Sequence, residues 1–232
     1  MENPPDDQNA EPSGPEATRQ ALLHEGLRLF GEKGFRASST REIAQGAGQN
    51  IASIAYHFGS KDGLRNGVAK MIASTLSGVV ERAFAARIGN SKPDAAPDEK
   101  QAAARQAVAH AVGRMAVFLL SSQMGAMIPR FVIREMADPS PAFDILYSGV
   151  FEPAHKRLCQ LWADATGEEA ESEDTRLAVF SLIGPLLYFR IGAPAVQRRM
   201  GWSGYGPAEA QKIADAVARV ILARIDQSGE TR

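Results

Sequence analysis

Between Ser39 and Lys61 the chain collects side chains that can touch a polyanion without repelling it. Gln49, Asn50, Ala52, Ser53, Tyr56 and His57 fall on one face of a short helical segment whose other face carries Ile54 and Phe58 at i and i+4. Amides, hydroxyls and an imidazole reach base edges and phosphates in a DNA major groove, where a carboxylate would meet phosphate charge. This face has no carboxylate, whereas a generic solvated helix usually carries Glu and Lys there. Ser39, Thr40 and Arg41 open the preceding segment and Lys61 the following one, so hydroxyls and cations stand at helix starts, where free backbone N–H groups also favour anions. The chemistry this set can do is recognition of double-stranded DNA.

Local signals build the elements that must hold these groups. Ser39 caps a helix and Glu42, three residues on, completes a capping box. Ile43, Ala44 and Ala47 give that helix an apolar side, and Gly46 and Gly48 supply the turn that follows. Gln49 or Asn50 caps the second short helix, and Ser60 caps a long one. Upstream, Leu22, Gly26, Leu29 and Phe30, widened by Leu23 and Leu27, predict a helix over 16–33 ended by Gly34, with Phe35 folding back on the module. The long helix from Ser60 toward Arg87 carries a stripe of Leu64, Val68, Ile72, Leu76, Val79 and Ala83, and so links the module to the rest.

The remainder also reads as helical, which makes the chain all-α. An Ala-rich helix runs from Asp98 to Ser122 and another from Met124 to Ala137. Ser140 and Pro141 start a helix expected to reach Thr166, and a helix over 173–192 is expected to kink near Pro185. Pro207 opens a last helix with a stripe of Ala210, Ile213, Val217, Val220, Ile221 and Ile225. The expected division is a disordered acidic, Pro-rich tail over 1–15, a helix-turn-helix DNA-binding domain over 16–62 and a helical effector-binding and dimerisation domain over 63–228.

Composition narrows the classes. The net charge of −1 over 232 residues argues against a polybasic protein, but bases outnumber acids between Ala17 and Arg65, as local phosphate binding requires. The longest apolar run, Leu177 to Phe189, is broken by Pro185 and falls short of the ~20 residues of a membrane span. No signal peptide is visible, so a cytoplasmic protein with no membrane partner is expected. Cys159 is the only cysteine, and the four histidines are scattered; neither a metal, a cofactor nor a catalytic set is expected. His155 and Cys159 are four residues apart without a third orienting group, so Cys159 reads as a buried thiol. Gly46-Ala47-Gly48 is a turn, since no strand precedes it.

Phe118, Met127, Phe131, Phe151, Trp162 and Tyr188, with Arg114, Arg134 and His155 nearby, have the composition of a ligand pocket, mostly apolar with a few polar groups. The same aromatics also read as plain core. An all-helical adaptor that binds only protein is the alternative to a DNA-binding regulator.

Several landmarks hold their spacing together: Leu22-Leu23, Leu29-Phe30, Gly34, Thr40, Ile43-Ala44, Ala47-Gly48, and Ile54-Ala55-Tyr56-His57-Phe58 followed by Lys61 and Leu64. In these, residues 19–61 resemble the DNA-binding domain of TetR/AcrR-type repressors. The resemblance implies a homodimer on a palindromic operator, released by a small effector. It also implies phosphate contacts from Thr40 and Lys61, base contacts from Arg41, Gln49, Asn50, Ala52 and Ser53, and Tyr56 and His57 near the groove wall. The family usually has tyrosine where this chain has Ala55, so one phosphate contact is missing or comes from Tyr56. Arg134-Glu135, Asp138 to Phe143, Pro153, Ile183-Gly184, Phe189-Arg190 and Arg198 to Trp202 are similar to the CecR branch, which implies an aromatic or drug-like effector.

Overall fold

The computed structural model describes residues 14–88 and 96–230, and the expected tail and most of the break after the long helix lie outside them. Among the described residues there are helices and no strands. The N-terminal part comprises α1 (Pro15–Glu32), α2 (Thr40–Gly46), α3 (Ala52–Phe58) and α4 (Lys61–Ile88). The body comprises α5 (Pro97–Ser121), α6 (Gln123–Ala137), α7 (Pro141–Leu146), a π-helical turn (Tyr147–Phe151), α8 (Glu152–Thr166), α9 (Glu173–Ile191), α10 (Ala193–Met200) and α11 (Pro207–Glu230).

The amphipathic stripes fold as their periodicity dictates. Every expected apolar residue of α1 and α4 is buried, and Gly34 ends α1 at φ +87°. Two cores result. The first joins α1 to α4 with Ile128, Phe131 and Val132 of α6, Ala142 and Leu146 of α7, and Val150. It therefore runs across the boundary expected at 62/63. The second gathers α5, α8, α9 and α11 around Trp162, with Val108, Val112, Val179, Ile213 and Ile221.

Four details depart from the sequence reading. The helix begun at Ser140 is not regular to Thr166, because Pro153 has no N–H to offer the Gly149 carbonyl. The ladder slips instead, Glu152 N–H donating to Tyr147 O, and Ser77 Oγ on α4 donates to Gly149 O at 3.1 Å. The helix over 173–191 contains Pro185 and continues beyond it, a 76° bend follows at the junction with α10, and α10 itself is a helix the periodicity did not reveal. Val220 is not part of the buried stripe of α11 but is 69% exposed. No single helix among the described residues is long and apolar enough to cross a membrane.

Candidate nucleic-acid interface

Two helices of seven residues each carry the reading groups, and caps rather than length hold them. Ser39 Oγ accepts the Glu42 N–H at 3.1 Å, starting α2 so that Arg41 is exposed and Thr40 half-exposed at its first turn. The Glu42 carboxylate pairs with Lys33, which, with a smaller share from the Ser39 backbone N–H, holds its pKa below the ordinary carboxylate range. That ion pair turns the one acid of α2 toward the end of α1. Gly48 turns the chain at φ +65°, Gln49 N–H donating to Ala44 O at 2.8 Å. Asn50 Oδ1 then accepts the Ala52 N–H at 2.9 Å, so Asn50 is the side-chain cap of α3, as one of the two expected candidates.

Ile54 anchors α3 in the first core while Phe58 is half-buried under the Arg19 guanidinium, 5.7 Å from the ring centroid. The opposite ridge faces outward. Asn50 and Ala52 are exposed, Ser53 and His57 half-exposed, and Tyr56 is 80% exposed, touched edge-on by the His57 ring at 4.9 Å. A tyrosine left so bare is a contact surface in search of a partner. Gln49 is drawn back from the ridge: its Oε1 accepts from Thr18 Oγ1 at 3.2 Å. Lys61 lies with its Nζ 4.4 Å from the Phe35 centroid, and burial pushes its pKa down.

The ridge also exposes Ile51 (48%) and Ala55, which the spacing argument passed over. Ile51 is exposed although its backbone is already helical and its carbonyl accepts the Ile54 N–H at 3.2 Å. Arg36, in the loop before α2, is exposed as well.

The nine residues expected to line an effector pocket do not meet in one place. Arg114 is exposed on α5. Phe131 is buried against Phe30, ring centroids 6.4 Å apart, and Met127 and Phe151 pack half-buried on the same first core. Phe118 touches both cores. Arg134 spends its guanidinium on the end of α1, donating from Nε to Gly31 O and from Nη2 to Glu32 O, both at 2.9 Å. His155 stacks on Phe180 at 4.1 Å, with Nε2 3.3 Å from Arg176 O and Nδ1 3.5 Å from Cys159 Sγ. Cys159 is the buried thiol expected, its pKa pushed up by burial. Trp162 is fully buried and donates from Nε1 to Glu168 Oε2 at 2.9 Å, while Tyr188 is exposed. Trp162 alone of the nine borders a groove of about 990 Å³ between the α8–α9 turn, α9 and α11. Leu177, Ala178, Leu182 and Val220 line it, with Glu168, Glu169 and Asp174 at its rim. Among the described residues no group of three potential metal ligands comes together.

Residues 22–68 match the model of bacterial regulatory proteins of the tetR family, and residues 104–226 match that of the C-terminal domain of the HTH-type transcriptional dual regulator CecR. Over 209 residues the chain is 34% identical to the dual regulator CecR of Shigella flexneri, covering 87% of this chain and 88% of that one. It is 24% identical to the transcriptional repressor KstR2 of Mycobacterium tuberculosis, covering 91% and 94%. The fatty acid degradation regulator FadR from Bacillus halodurans has a similar fold, with a TM-score of 0.61 at 12% identity over 91% of this chain and 97% of that one.

Proposed function

The chain belongs to the tetR family of bacterial regulatory proteins, with a C-terminal domain of the CecR type, and on that premise we propose that it is a cytoplasmic repressor, homodimeric on a palindromic operator and released by a small aromatic or drug-like effector. One observation carries the reading: α3 is capped and anchored so that a carboxylate-free ridge, led by Tyr56, faces solvent. Arg41, Asn50, Ala52 and Ser53 read bases, and Thr40, Lys61, Tyr56 and His57 meet backbone and groove wall. Gln49, tied to Thr18, reaches the DNA only by giving up that bond.

The homodimer is supported by apolar side chains that the chain leaves uncovered along α9 and α11, namely Leu177, Phe180, Tyr188, Ile191 and Val220. Pairing through these helices spaces two copies of α3 by one DNA turn, about 34–36 Å, which is why the operator is a palindrome. The groove beside Trp162 opens at Leu177 and Val220, so an effector seated there alters the packing of the paired helices and with it the spacing of the two ridges. Its apolar wall, with Glu168, Glu169, Asp174 and Arg224 around it, suits a flat apolar molecule that carries polar groups. Switching occupancy from mostly bound to mostly free takes roughly 5.5 kcal/mol of differential affinity across the two sites.

The test is selection of random duplexes by the purified protein, followed by sequencing. An inverted repeat with half-sites about 10–10.5 bp apart is the expected result. A single asymmetric half-site overturns the dimeric geometry, and no salt-dependent retention of DNA returns the chain to the adaptor reading.

A further inference from the structure

We infer that Arg134 and Glu135, consecutive residues of α6, determine which half-site spacing the protein accepts, because they set the angle at which the reading head is held on the body. The inference rests on the DNA-binding reading above. It begins from a split in what joins head to body. Apolar contacts across the first core, with Phe131 of α6 against Phe30 of α1 at 6.4 Å, supply adhesion that tolerates small rotations. Directional bonds do not, and apart from Ser77 Oγ to Gly149 O further along α4 these are concentrated at one place.

Arg134 reaches the carbonyls of Gly31 and Glu32, two of the last acceptors of α1, which a helix cannot satisfy itself. The last turn of α1 has no base and Lys33, just past it, is paired with Glu42, so a further cation for this terminus comes from α6. The approach is close: a Cβ on Gly31 would lie 3.2 Å from Arg130 Cβ, and one on Gly34 would lie 3.0 Å from Arg134 Nη1. Glu135 then uses both carboxylate oxygens. Oε1 accepts from Arg65 Nε on α4 at 2.6 Å, and Oε2 accepts from Ser140 Oγ at 2.7 Å. Its side chain is 3% exposed. Arg65 also lies over the Phe35 ring, 4.6 Å from its centroid, and Lys61 shares that ring. Ser140 in turn accepts the N–H of Ala142 and starts α7. A single acid therefore ties the first turns of α4 to the start of α7, while its neighbour holds the end of α1. Two helices of the head are each fixed to the body by bonds that have an angle.

In a dimer, that angle decides where each α3 ridge points. A symmetric operator lengthened by two base pairs at its dyad rotates one half-site by about 70° relative to the other. A rigidly held head refuses it, whereas a head released from the clamp can follow. The experiment compares wild type with Arg134→Ala and Arg134→Lys on three duplexes: the selected operator, the same operator with two base pairs inserted at the dyad, and an isolated half-site. Lysine keeps the charge but cannot fork to both carbonyls, so it carries the test if the alanine variant does not fold. Wild type is expected to prefer the native spacing by about tenfold or more, and the variants to lose most of that preference while their half-site affinity stays within about twofold. Glu135→Gln, which retains hydrogen bonding but removes the charge, is expected to fall between. Unchanged spacing preference in both Arg134 variants overturns the inference. A wild type that selects no duplex at all overturns instead the DNA-binding reading beneath it.

Discussion

The short helices of the head and the long helices of the body solve the same problem with different means. α2 and α3 have seven residues each and keep only Ile43, Ala44 and Ile54 fully inside, so Ser39, Asn50 and the neighbouring helices must define their ends. α5 and α11 have 25 and 24 residues and bury a stripe along their length, and packing defines them. The consequence is visible in what each region has left over. The head leaves amides, hydroxyls, arginine and one bare tyrosine, chemistry that suits a nucleic acid. The body leaves Leu177, Phe180, Ile191 and Val220, chemistry that suits another protein surface. The helices least able to stand alone are the ones free to specify a ligand.

The contrast breaks if the two regions respond alike to truncation. Trp162→Ala should have the largest effect, a loss of about 3–5 kcal/mol in urea unfolding, because it empties the centre of the second core and leaves Glu168 Oε2 with Thr175 as its remaining donor. Tyr56→Ala should do the reverse. Stability should stay within about 0.5 kcal/mol, while affinity for every duplex should fall by about tenfold, ~1.4 kcal/mol, in a fluorescence-polarisation titration. Arg41→Ala sharpens the point further: its loss should be confined to particular base pairs, at about 1–3 kcal/mol each, where Tyr56→Ala is uniform. A Tyr56 variant that unfolds, or a Trp162 variant that remains stable but cannot bind DNA, would undo the division of labour.

The smallest effect concerns pH. The Glu42 carboxylate has its pKa lowered chiefly by Lys33, so the folded state favours the ionised form. Its contribution is thus complete above the ordinary carboxylate value and fades as pH falls through the lower, folded one. Melting temperatures of wild type and Glu42→Gln should converge on acidification from about pH 6 to about pH 3. A gap that widens instead would mean that the head is not fastened through this pair.

The head was legible because its signals are local. Ser39, Gly48, Asn50 and Ser60 each act within three residues of their own position, and each did what its type predicts. The body was legible only as far as periodicity goes. α10 is short, five of its eight residues are exposed and none is fully buried, so no stripe announced it. The aromatic set failed to converge because composition cannot distinguish the lining of a cavity from the filling of a core; Phe131 and Trp162 are filling. Arg134 was read as a ligand contact since an arginine among aromatics looks available, and nothing in its own neighbourhood announces two carbonyls at the end of a helix a hundred residues upstream.

The π turn at Tyr147–Phe151 imposes an arithmetic on the gene. Each residue added to or removed from a helix rotates everything beyond it by about 100°, and this turn holds one residue more than a regular ladder would. A π turn absorbs that residue within a single turn, so removing one codon there would restore regularity while leaving Cys159 and Trp162 close to the side they now bury. A codon lost from this turn should therefore be tolerated, whereas one lost inside the regular ladder of α8 would carry every residue beyond it more than a quarter turn off the core.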